Sequence, residues 1–164
     1  MFTAIRLAAL LVVSGSLPVQ IASPIDGLTP SQLHDSFSEI HSGHPHEAVD
    51  IMVPKGTPVH AVASGVIRKL FLSVPGGITI YQVDESGRYC FYYAHLDSYA
   101  PGLREGMHVE QGTVIALSGY TGNASAAAPH LHFAVLELGP EKQWWKGKYL
   151  NPYQSLLEAV ERSK

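Results

Sequence analysis

The sequence predicts a mostly β fold: an antiparallel β-sheet core with a short N-terminal helix and one C-terminal amphipathic helix. Three observations carry that expectation. From Ala48 to Leu138, short apolar runs alternate with turn residues. Glycine and proline, 15 and 11 of 164 residues, are spread along the chain as a turn-rich fold requires. Two helix-start signatures stand outside this stretch, one on each side of it.

Taken in order, the chain begins with a secretory-signal layout. Arg6 precedes an apolar run from Leu7 to Val13. The run is too short to span a membrane, which takes about 20 apolar residues. Residues 1–22 are therefore expected to be a signal peptide cleaved near Ala22, leaving 23–164 as a single domain in the periplasm or secreted. No cysteine follows the run to carry a lipid anchor. Thr29-Pro30-Ser31-Gln32 then reads as a helix start, with Thr29 as cap and Gln32 three residues on. His41-Ser42-Gly43-His44-Pro45 stops that helix early. The predicted strands are Val49–Val53, Val59–Ala63, Val66–Leu72, Ile78–Val83, Arg88–His95, Thr113–Leu117 and Leu131–Leu138, with glycine at most of the turns between them. Asn151-Pro152-Tyr153-Gln154 opens the last helix, where Tyr153, Leu156, Leu157 and Val160 share one face.

Composition removes several function classes. The chain is 46% hydrophobic and 15% charged, which excludes a disordered polymer. Its net charge of −3 offers no field for nucleic acid. A lone cysteine, Cys90, excludes an intrachain disulfide framework. Nine histidines, in a chain so poor in charge, mark where chemistry is to be sought.

Two spacings stand out among them. His46 and Asp50 lie four apart in HEAVD, and His130 and His132 lie two apart in HLH. Residues two apart on a strand face the same side, so His130 and His132 can reach one point. Ala48, between His46 and Asp50, leaves room for an ion. Imidazoles and a carboxylate with one position open for water make a catalytic zinc site. His95, in Tyr92-Tyr93-Ala94-His95-Leu96, sits in an aromatic strand; it is either a satisfied core residue or a further group facing the site. Glu47 is not a base of the HExxH kind, because Asp50 stands where that motif needs its second histidine. His34, His41, His44, His60 and His108 read as surface residues. Trp144-Trp145, flanked by Lys142, Lys146 and Lys148, is expected to cover the sheet and pack against the last helix.

These residues belong to a longer pattern: HEAVDI, GTPVHAVASGVI (56–67), YAHL (93–96), EGMHVEQGTVIALSGYTGNA (105–124) and PHLHFAV (129–135). In this order and spacing the chain resembles the lysostaphin- and LytM-like zinc endopeptidases that cut peptide cross-links of bacterial cell walls. One departure is Ala48, where many members carry glycine; it removes no ligand. The resemblance implies one Zn2+ held by His46, Asp50 and His132, with His130 and His95 as non-ligand catalytic histidines. It implies peptidoglycan peptides as substrate. No nucleic acid or membrane span is expected, and a monomer is favoured. A catalytically silent wall-binding or amidase-regulating module on the same fold is the alternative, opposed by the complete set of metal-binding residues. A biotinyl or lipoyl carrier is opposed by the missing attachment lysine near Ser64-Gly65.

Overall fold

In the computed structural model, which describes residues 15–163, each apolar run from Val49 onward contributes a strand and the glycine-rich segments become turns. A three-residue 3-10 turn, Pro30–Gln32, precedes the strands. They run β1 (Ile40–His41), β2 (His44–Pro45), β3 (Val49–Met52), β4 (Pro58–His60), β5 (Gly65–Ser73), β6 (Gly77–Asp84), β7 (Tyr89–Tyr99), β8 (His108–Val109), β9 (Val114–Ser118), β10 (His130–Leu138) and β11 (Gly147–Leu150), followed by the helix α1 (Tyr153–Arg162). Every pairing is antiparallel. The main sheet runs β11-β10-β7-β6-β5-β8; β3 adds to β10, β9 to β7 and β4 to β9, while β1 and β2 form a separate hairpin.

Period-two alternation sets the two faces of this sheet. On β10, Leu131, Phe133 and Val135 enter the main core. Their neighbours Leu136 and Leu138 join a smaller cluster with Val83 and Cys90. Cys90 is a buried free thiol, and burial pushes its pKa up to about 12. Helix α1 closes the main core with Leu156 and Val160. As expected from the sequence, Asn151 tethers its start: the Asn151 Oδ1 accepts from the Tyr153 N–H at 3.0 Å.

Three expectations change or fall partly outside the described residues. The N-terminal helix shrinks to the single 3-10 turn, although Thr29 N–H does donate to Gln32 Oε1 at 2.9 Å. Leu33 then leaves on an extended backbone to bury its side chain. The Trp pair does not pack against the last helix: Trp144 lies on the opposite side of the sheet, on Tyr81 and Phe71, with ring centroids 4.6 and 6.2 Å away. Residues 1–14 of the expected export signal lie outside the described residues. Of its remainder, Leu17 and Ile21 are buried in the main core, and Ala22 N–H donates to Val62 O at 2.7 Å. Among the described residues no helix is long and apolar enough to cross a membrane.

Candidate active site

The pairing register brings the expected residues together. Asp50 on β3 and Ala94 on β7 both lie opposite His132 on β10. His130 lies two residues before His132 on the same strand. His46 reaches the group from the loop ahead of β3, where its Nδ1 donates to Ser36 O at 3.1 Å and leaves Nε2 free. All of them line one groove of about 550 Å³.

At its floor three atoms form a triangle. His46 Nε2, Asp50 Oδ1 and His132 Nδ1 stand 3.1 Å from one another on every side. Donors bound to a tetrahedral ion at 2.0–2.1 Å are roughly 3.3 Å apart, so the spacing fits one metal ion. Hydrogen bonding alone does not satisfy the triangle when both rings are neutral. His46 Nε2 then carries only a lone pair and faces a carboxylate oxygen, a contact that a cation relieves.

His95 arrives by a different device. By simple alternation, Tyr93 points into the core, Ala94 to the groove and His95 back into the core. The β6–β7 register shifts here: Ile80 pairs with Tyr93 but Ile78 with Leu96, so β7 carries one extra residue. His95 takes φ +57° within this bulge. That turns its ring to the groove and lets Leu96 resume burial. A left-handed backbone at a non-glycine residue costs about 1–3 kcal/mol. His95 Nδ1 donates to Thr121 O at 2.8 Å, and His130 Nδ1 donates to Ala128 O at 2.9 Å. Both rings thus keep Nε2 free, with centroids 4.9 Å apart. His130 Nε2 stands 3.7 Å from Asp50 Oδ2.

Comparison with known proteins bears on what this arrangement is. The pattern described as Peptidase family M23 matches residues 44–152.

The chain belongs to peptidase family M23.

Among its M23 relatives is the L-Ala–D-Glu endopeptidase of Bacillus subtilis, 35% identical over 73% of this chain and 37% of that protein. The chain thus spans little more than a third of that relative's length. The catalytic domain of the antimicrobial peptidase lysostaphin from Staphylococcus simulans superposes with a TM-score of 0.60 at 32% identity, covering 70% of this chain and 81% of that domain. A zinc-containing peptidase from Vibrio cholerae gives a TM-score of 0.60 at 27% identity, over 73% of this chain and 37% of that one.

The electrostatics of this M23 groove follow from crowding. Burial opposes charge on Asp50, yet His132 and His46 beside it hold its carboxyl well below the usual carboxylate range. Burial also opposes charge on His46, but Asp50 outweighs it and the ring ends raised. For His132, burial prevails and the ring is lowered. Burial takes His95 down to about 4 despite its bond to Thr121.

Two groove residues lay beyond the reading of the sequence. His41, read as a surface residue, is exposed but stacks on His46 with centroids 4.2 Å apart. It forms, with His46 and Asp50, a set of donor atoms within 4.8 Å of one another. The signal was present in the histidine-rich HSGHPH, but nothing in it shows the β1–β2 hairpin folding back. Tyr92 meets His132 edge-on at 5.9 Å; its place in YYAHL looked like core. Glu47 does not line the groove.

Proposed function

We propose that this chain is a zinc-dependent endopeptidase that hydrolyses peptide cross-links of bacterial peptidoglycan, acting in the periplasm or outside the cell. The observation that carries the reading is the 3.1 Å triangle of His46, Asp50 and His132 beside the neighbouring rings of His95 and His130. The zinc in a solved structural relative and the L-Ala–D-Glu bond named for the Bacillus relative support it.

His46, Asp50 and His132 would hold the ion. When bound, zinc supplies Lewis-acid polarisation of a carbonyl and activation of water. The carbonyls of Ser36, Thr121 and Ala128 fix the tautomers of His46, His95 and His130 and aim each Nε2 inward. His130 and His95 therefore offer lone pairs, not protons, at the start of a turnover. We assign them the proton transfer: a ring accepts a proton from the attacking water and, now cationic, donates it to the leaving amine. Gly76, Ala94, Ala124 and Ala128 are among the residues lining the groove, and their small side chains leave space for an extended peptide.

The test is digestion of defined muropeptides by the chelated and the zinc-restored chain, followed by mass analysis. Zinc-restored protein should release shortened stem peptides, and the masses name the scissile bond. A folded, zinc-loaded chain that releases nothing would overturn the reading.

A further inference from the structure

An aromatic path leads from the groove away from the metal-site triangle. It starts at Tyr92, whose ring meets His132, and passes to Tyr81 at 4.6 Å, Trp144 at 4.6 Å and Trp145 at 5.1 Å between centroids. Trp145 is 59% exposed at its far end. Beneath it lies the small cluster of Val83, Cys90, Leu136 and Leu138, so the rings rest on a firm floor. The Tyr81 phenol, like any tyrosine, is protonated at neutral pH and can donate.

We propose that this aromatic face, from Tyr92 to Trp145, binds the glycan strand of peptidoglycan alongside the peptide held in the groove. The proposal rests on the peptidoglycan reading above. Three considerations commit it to a sugar chain. Ring faces of Trp and Tyr match the apolar C–H faces of pyranoses, while the phenol and indole edges serve hydroxyl and amide groups. The charge is complementary: Lys142, Lys146 and Lys148 flank the Trp pair, and among the described residues none of them forms an ion pair. The carboxylates of peptidoglycan sit on its stem peptides, next to the neutral sugars, so the lysines would meet the stem where the rings meet the glycan; the chain as a whole, at net −3, does not favour a nucleic-acid backbone. Geometry supplies the third. A stem of three to five residues reaches roughly 10–18 Å when extended. Four ring-to-ring steps of 4.6–5.9 Å cover that interval from His132. A stem peptide that leaves the groove along these rings would bring its glycan attachment to this face.

The probe is a peptide-free β-1,4-linked N-acetylglucosamine tetramer titrated into the full zinc-loaded chain, read by tryptophan fluorescence and by the indole N–H resonances. We expect both indole signals to move, Trp145→Ala to weaken binding about tenfold or more, and Trp145→Phe to retain most of it. On intact sacculi Trp145→Ala should raise KM while kcat holds, and cleavage of a short soluble peptide should be unchanged. Unmoved indole signals at saturating sugar, or equal affinity in Trp145→Ala, would overturn the proposal. So would single-stranded DNA or anionic vesicles binding this face in place of the sugar. Sugar binding needs no turnover, so failure here is distinct from failure of the peptidase reading: a chain can release peptides without binding sugar, or bind sugar without releasing peptides.

Discussion

His130 and His132 lie two residues apart on β10; the tasks proposed for them differ, and substitution should separate them. His132→Ala removes one corner of the 3.1 Å triangle and should abolish stoichiometric metal binding. His130→Ala leaves the triangle intact; it should keep its metal and lose about 10²–10⁴-fold in turnover. Metal content and rate measured on the same samples check both. His95 permits a pH prediction. Its folded pKa, about 4, lies below the unfolded value of about 6.5, so folding favours the neutral ring. The stabilisation is fully present above about pH 6.5, declines as pH falls towards 4, and is absent below that. Its full size is about 3 kcal/mol. In metal-free protein, the stability difference between wild type and His95→Gln should therefore shift by about this amount across pH 4–6.5. A pH-independent difference would contradict the burial assigned to His95. Activity should fall below about pH 6 together with bound metal, as the ligand histidines protonate. Metal retained while the rate falls would place the acid limb on His130 or His95 instead.

At the scale of elements, the groove wall opposite the β1–β2 hairpin depends on two backbones packed without side chains. Gly77 and Gly122 have φ of +65° and +75°, and a Cβ on Gly122 would strike Gly77 N and Pro75 O. Gly122→Ala must displace the turn that carries Thr121, whose carbonyl orients His95. We expect a loss of at least tenfold in turnover with metal content unchanged, measurable by parallel metal and rate determinations. This wall also shows why legibility stops where it does. The runs at 49–53, 66–72, 78–83 and 131–138 were readable because a buried strand needs uninterrupted or alternating apolar residues. The two-residue strands β1, β2 and β8 carry no such period, and β11, Gly-Lys-Tyr-Leu, is partly exposed along its length. The bulge at His95 is invisible in YYAHL, because one extra residue in a ladder depends on the partner's register.

At the scale of the whole molecule, Leu17 and Ile21 of the uncleaved chain pack into the core that supports the sheet, which bears on whether residues 1–22 are removed. Ile21 is 1% exposed, and Arg162 on α1 donates to its carbonyl at 2.8 Å. Ile21→Ala should cost about 2–4 kcal/mol, seen as a fall in the denaturation midpoint with an unchanged denaturant slope. The measurement is made on the full, uncleaved chain, and a neutral substitution there would show that this arm contributes nothing to the domain, as a removable signal would. Part of this grouping was legible in the sequence: Asp50, and His130 with His132, lie on strands where short spacings set which side they face, while His46 joins them from the loop ahead of β3. What spacing leaves open, and register supplies, is that Asp50 and Ala94 lie opposite His132 from two different strands.

The central claim is that His46, Asp50 and His132 hold one zinc ion, which His130 and His95 serve without binding it. It is tested most directly by counting zinc per chain, by elemental analysis after dialysis, in wild type, His132→Ala and His130→Ala. The account predicts about one, close to none and about one. Equal zinc in both variants, or none in folded wild type given zinc, would contradict it.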